Sequence, residues 1–121
     1  MRRTITLIAP FAAALSLATA ATAGGPTLTV DPPSVHRGHA VTVRGSAPGC
    51  AVGNTVFIIS RAFARTHEFA GVPALLARVR ADGSFRVRAV IPATKAPRRY
   101  LLTARCGGGN LGVAARLTVR A

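Results

Sequence analysis

The sequence predicts an all-β fold of two stacked antiparallel sheets, and three observations carry that reading. The chain divides into seven short strand-like stretches, most of which alternate apolar and polar residues with a period of two. Turn residues separate these stretches, among them Pro32-Pro33, Pro48-Gly49, Asp82-Gly83 and Gly107-Gly108-Gly109-Asn110. Residues 99–106 organise the rest: Tyr100, Leu102, Ala104 and Cys106 fall on one side of a strand, and Leu101, Thr103 and Arg105 on the other. An inward row ending in a cysteine is well placed to clamp two sheets together.

The N-terminal 23 residues read as a signal peptide. Arg2 and Arg3 give a basic start, residues 5–20 are almost wholly apolar, and Ala21-Thr22-Ala23 is an A-x-A cleavage site. Pro10 breaks the apolar run, which is short for a membrane-spanning helix. A freely secreted protein exported by the general route is expected, with no transmembrane segment after cleavage. Residues 24–121 then form one domain of about the size of a single immunoglobulin-like sandwich, roughly 100 residues. A domain this small is marginally stable on its core alone. Its two cysteines, Cys50 and Cys106, most simply form one bridge in an exported chain, the alternative being two buried thiols.

The precursor carries a formal net charge of +13. Removing Arg2 and Arg3 leaves 14 bases against Asp31, Glu68 and Asp82, and 14 − 3 = +11. Such a balance draws a domain toward polyanions such as envelope phosphates, nucleic acid or anionic lipid. A bland reading stands beside it, because many arginines, one lysine and abundant alanine are also what a GC-rich genome writes onto a solvated surface.

Taken in order, residues 27–31 alternate and stop at Pro32-Pro33, as an opening edge strand does. Residues 34–39 read as the connection out of it. In residues 40–45 Val41 and Val43 point inward, and Thr42 and Arg44 outward. Residues 47–53 form a turn cluster that carries Cys50. Residues 55–60 are apolar on both sides, which suits a central strand with a partly covered outer face. Residues 61–73 fit a helical turn, a short extra strand or a crossing loop, with Phe63 and Phe69 packing the segment down. Residues 74–80 and 84–91 flank Ala81-Asp82-Gly83, a three-residue hairpin loop whose glycine is free to take positive φ. Residues 92–97 make a proline-bounded crossover to the Tyr100 strand. The last strand alternates Val113, Ala115, Leu117 and Val119 with Arg116, Thr118 and Arg120. The whole predicts a seven-stranded antiparallel Greek-key immunoglobulin-like sandwich.

The hairpin also yields the candidate site. Pairing across Ala81-Asp82-Gly83 sets Arg80 opposite Ser84, Val79 opposite Phe85, Arg78 opposite Arg86 and Ala77 opposite Val87. Arg78, Arg80, Arg86 and Arg88 then face outward together, with Arg44 on a neighbouring strand joining them as an anion-binding face. A directly opposed pair of like charges costs a little stability, and a cost borne without a partner points to an anion. Arg105, Arg116 and Arg120 speak for a more general basic surface. The mature chain has no Trp and a single Tyr assigned to the core, so aromatic stacking for sequence-specific nucleic-acid recognition is missing.

Catalytic and metal patterns are weak. Hydrolysis needs a nucleophile with a base, paired carboxylates or a metal, and of three carboxylates only Glu68 is not assigned to a turn or a proline neighbour. Its neighbour His67 points the other way on a strand. His36 and His39 supply two imidazoles where a dedicated metal site takes three or four ligands. The run Gly107-Gly108-Gly109-Asn110 precedes a strand, so it lacks the helix N-terminus that makes a phosphate cradle. No enzyme, metal or cofactor is implied.

Pro26-Thr27-Leu28-Thr29-Val30-Asp31-Pro32, Val41-Thr42-Val43-Arg44-Gly45, Ala81-Asp82-Gly83-Ser84 and Gly109-Asn110-Leu111-Gly112-Val113-Ala114 span most of the mature chain. In that order they resemble the immunoglobulin-like modules of secreted actinobacterial proteins, and more specifically the neocarzinostatin and macromomycin apoproteins. The resemblance implies a seven-stranded sandwich, and a cleft beside one sheet that in the best-known members carries an enediyne chromophore. This chain departs from them in having one long-range cysteine pair in place of two short-range bridges, and in being basic where they are acidic. No ligand-binding residue carries over. The expected function is a secreted non-enzymatic binding or structural module engaging an anionic cell-envelope polymer or extracellular partner through its arginines. The alternative is a small-molecule carrier with an apolar groove beside the third, sixth and seventh expected strands.

Overall fold

A computed structural model describes residues 24–107 and 109–121; the signal peptide expected over residues 1–23 lies outside the described residues, as does Gly108 of the glycine turn. The described chain is all-β. Its strands are β1 (Thr27–Asp31), β2 (Ser34–His36), β3 (Ala40–Ser46), β4 (Thr55–Ile59), β5 (His67–Phe69), β6 (Val72–Arg78), β7 (Ser84–Val90), β8 (Arg98–Cys106) and β9 (Gly109–Arg120). They form a three-stranded sheet in the order β1-β3-β7 and a six-stranded sheet in the order β2-β9-β8-β4-β6-β5. The larger sheet curls like half a barrel and is mixed, because β2 runs parallel to β9.

Nine strands replace the expected seven, and the purely antiparallel plan gives way at β2. The two additions are three-residue edge strands, too short to show a period. β2 forms where residues 34–39 read as a connection, held by the register Ser34 to Thr118 and Val35 to Val119. β5 resolves the unplaced segment. Ser60 accepts from Ala62 N at its Oγ and from Phe63 N at its carbonyl, making a turn that seats Phe63 at 0% exposure. A two-residue loop, Ala70-Gly71, then joins β5 to β6 with both residues at positive φ, 50° and 80°. That conformation matches the strand twist.

One core lies between the sheets. Val41, Val43 and Phe85 enter it from the smaller sheet, and Val56, Ile58, Leu102 and Leu117 from the larger. Each such buried side chain contributes about 1.5–3 kcal/mol over leaving it in water. Cys50, in the loop leaving β3, is bonded to Cys106 at the end of β8, with a Cα separation of 6.2 Å across 56 residues of chain. The bridge ties the exit of one sheet to a central strand of the other.

The expected hairpin is corrected. Its turn stands: Gly83 has φ 81°, and Arg80 and Ser84 meet through Arg80 N to Ser84 O at 2.8 Å. Beyond that bond the strands part. β6 pairs with β4, setting Thr55 opposite Arg78, and β7 pairs with β3, setting Arg44 opposite Arg86. The turn therefore carries the chain from one sheet to the other, with Ala47 N donating to Gly83 O at 2.8 Å to pin the crossing. Both arrangements send Ala77, Val79, Phe85 and Val87 inward, so alternation alone does not distinguish them.

Candidate functional site

The outer face of the three-stranded sheet holds three of the five expected arginines. On β3 the inward Val41 and Val43 leave Thr42 and Arg44 outward; on β7 the inward Phe85, Val87 and Ala89 leave Ser84, Arg86 and Arg88 outward. The ladder registers set Thr29, Arg44 and Arg86 in one cross-strand row and Asp31, Thr42 and Arg88 in the next. All three arginines are exposed; Thr29 flanks Arg44 on β1, and Thr42 is opposite Arg88 on β3. Directly opposed residues sit about 5 Å apart, so Arg44 and Arg86 repel. No carboxylate answers them: among the described residues the one ion pair within 4.0 Å is Arg65 with Glu68. Asp31 shares the face two strands from Arg88, roughly 10 Å at the usual strand spacing.

The other two arginines go elsewhere. Arg78 is on the outer face of the larger sheet, pointing away from Arg86 across the thickness of the molecule, and Arg80 lies in the turn. The expected compact group of five is thus divided by the crossing at residues 81–83. Below Arg80, Asp82 accepts hydrogen bonds from Ser84 Oγ at 2.6 Å and Ser84 N at 2.9 Å, and these hold its carboxyl below the ordinary value of 3.8.

The outer face of the larger sheet carries a groove that sequence reading did not locate residue by residue. Ile59, Val72, Leu101 and Thr103 line it from β4, β6 and β8, and Arg61, Arg98 and Arg99 also line it; its volume is about 290 Å³. Leu101 is 46% exposed. Arg98 lies over the Tyr100 ring, 4.7 Å from its centroid, and Tyr100 in turn donates to Ala96 O at 2.7 Å, which fixes the start of β8. Burial, then repulsion by Arg65 and Arg98, lowers the pKa of Lys95. The sequence signal was present in Arg98-Arg99 opening a strand whose outward row includes a leucine. The groove floor comes from segments far apart in the chain, which no local spacing reveals. Beside it Phe57 packs on Phe69 with ring centroids 5.3 Å apart, and the Arg105 guanidinium lies 5.1 Å from the Phe69 centroid.

A second cleft of about 320 Å³ opens between β6 and the outer edge of β7, lined in part by Leu75, Leu76, Val87 and Val90. The remaining candidates are occupied or isolated. The Glu68 carboxylate accepts from Arg65 Nη1 at 2.7 Å. His36 Nδ1 lies 2.9 Å from the Ala121 carbonyl oxygen, and its ring is 6.0 Å from that of His39. Among the described residues no group of three or more His, Cys, Asp or Glu side chains is gathered as metal ligands. No helix among them is long and apolar enough to cross a membrane.

No family model matches the chain, and no curated protein matches it. A solved structure, that of the Pseudomonas fluorescens alkylpurine DNA glycosylase AlkC bound to DNA containing an abasic site analog, is similar with a TM-score of 0.47 at 19% identity. The similarity covers 80% of this chain, which spans 30% of that one.

Proposed function

We propose that this is a secreted, non-enzymatic, immunoglobulin-like binding module that engages an anionic cell-envelope or extracellular polymer through Arg44, Arg86 and Arg88. The observation that carries the reading is the row of like charges: Arg44 opposite Arg86, Arg88 beside them, and, among the described residues, no carboxylate within 4.0 Å of any of the three guanidinium groups. A folded face that holds guanidinium groups side by side with none of them in an ion pair is ready for a ligand that brings its own charge. The Cys50–Cys106 bridge supports export. The strand orders β1-β3-β7 and β9-β8-β4 support the immunoglobulin-like assignment, since the chain crosses between the two sheets at β3–β4, β6–β7 and β7–β8, as it does in Greek-key sandwiches.

The test is binding of the mature domain to inorganic polyphosphate and to purified cell envelope, at low and moderate salt. Affinity should fall steeply with salt, as counterion release requires. The triple variant Arg44→Ser, Arg86→Ser, Arg88→Ser should bind at least about tenfold more weakly, an effect of ~1.4 kcal/mol or more. Equal binding by Arg78→Ser and the wild type is expected, because Arg78 is on the other sheet. Binding that ignores salt, or that survives the triple change, overturns the proposal.

A further inference from the structure

We infer that the groove on the larger sheet is a second, separate site that takes a single-chain anionic amphiphile, a medium-chain carboxylate, with its head at Arg61, Arg98 and Arg99 and its chain on Ile59, Val72 and Leu101.

Three features lead there. The first is the layout of charge. β4 and β8 are antiparallel with Ile59 opposite Thr103, so Arg61, just past the end of β4, comes to the same end of the groove as Arg98 and Arg99 at the start of β8. All three line that end of the groove, Arg99 sharing the outward row of β8 with Leu101 and Arg98 held over the Tyr100 ring, with Ile59 and Val72 completing the apolar lining.

Second, that end is over-supplied with positive charge. Lys95 lies close enough to Arg65 and Arg98 for both to oppose its protonation. Of the three mature carboxylates, Glu68 is paired with Arg65, Asp82 is bonded to Ser84 in the turn, and Asp31 is on the smaller sheet. A bound carboxylate would supply the missing charge, and a guanidinium holds a carboxylate through two parallel hydrogen bonds.

Third, the remainder of the groove is small and largely apolar, with the polar side chains of Ser60 and Thr103 among its lining. Leu101 stands 46% exposed on an outward row, while Ile59 and Val72 are half-buried below the arginines. A volume of about 290 Å³ is at the lower limit of ligand pockets. At ~30 Å³ per water-sized group it holds about ten of them, which suits a chain of about ten carbons. A hydrophilic polyanion would leave Leu101 without a partner. A membrane surface needs protruding apolar residues, and here two of the three are recessed. The inference does not depend on the polymer reading, since the two sites share no residue.

Calorimetric titration of the mature domain with decanoate below its micelle concentration tests it. Decanoate should bind with one-to-one stoichiometry, and decyltrimethylammonium, with the same chain and opposite charge, should not. Leu101→Asp should abolish binding, and Arg98→Ser with Arg99→Ser should weaken it about tenfold or more. Leu101 is exposed, so a melting temperature near the wild-type value will show that Leu101→Asp still folds. The triple variant at Arg44, Arg86 and Arg88 should bind decanoate normally, which separates this site from the polymer face. No binding, equal binding of the cationic chain, indifference to Leu101→Asp, or attachment to anionic vesicles without uptake of monomeric decanoate would each overturn the inference.

Discussion

Cys50 and Cys106, with Cα atoms 6.2 Å apart, join the loop leaving the smaller sheet to the end of β8 in the larger. The bond closes 56 residues of chain, and on the chain-entropy account a loop of that length contributes about 4 kcal/mol. In a domain of this size, each kcal/mol is worth about 4–8 °C in Tm. Reduction, or the double change Cys50→Ser and Cys106→Ser, should therefore lower Tm on the order of 15–30 °C in a circular-dichroism melt. An unchanged melt would remove the bridge from the list of what holds the sheets together.

Gly45 sits in β3 where a side chain has no room. A Cβ there would collide with the Thr27 carbonyl on β1 and stand 2.6 Å from Phe85 Cζ. The backbone group cannot move without opening the β1–β3 ladder. Gly45→Ala should cost about 1–3 kcal/mol, the usual range for overpacking. Gly49, with nothing within 4 Å of the same position, is the control, and Gly49→Ala should shift the urea midpoint little.

Ala70 occupies left-handed backbone, φ 50°, as the first loop residue between β5 and β6. That conformation costs an alanine roughly 1–2 kcal/mol, and asparagine followed by glycine is the preferred pair for such loops. Ala70→Asn should raise the unfolding free energy by up to about 1 kcal/mol, read from a urea titration. A loss of stability would mean that the loop is held by something other than its own backbone preference.

Asp82 offers a pH readout. Its carboxylate is stabilised by donation from the Ser84 hydroxyl and amide, so its folded pKa lies below 3.8. A depressed carboxyl contributes stability that is present above the ordinary value and is lost as pH falls through the folded value. Carbon-detected NMR titration should place the Asp82 midpoint below 3.8, and Ser84→Ala should move it upward. A midpoint unmoved by that change would assign the shift to another cause.

Facing was legible in the sequence wherever it depends on the local chain alone. Tyr100, Leu102 and Ala104 are inward, as are Val41 and Val43, because alternation fixes the side of the sheet. Partnership was not legible. The turn at Ala81-Asp82-Gly83 serves a hairpin within one sheet or a crossing between two, and both keep Val79 and Phe85 inside. The choice is made by β3 and β4, distant strands competing for β7 and β6, and it decides that Arg86 meets Arg44 and not Arg78. The groove was hidden for the same reason, since Ile59, Val72 and Leu101 become neighbours only once β6, β4 and β8 are side by side. β2 has three residues and depends on β9 for its partner.

β7 lies at the margin of the smaller sheet, with β3 on one flank and, among the described residues, no strand on the other. Exposed backbone of that kind invites a second copy to pair with it, and charged side chains are a common deterrent. Arg86 and Arg88 stand along that margin, so two molecules approaching edge to edge bring like charges together. Their mutual rejection weakens as salt rises, and a polyanion lying over the arginines would cancel it. The charges proposed to hold a polymer would thus also keep free copies apart, and crowding along such a polymer is where self-association would first become favourable.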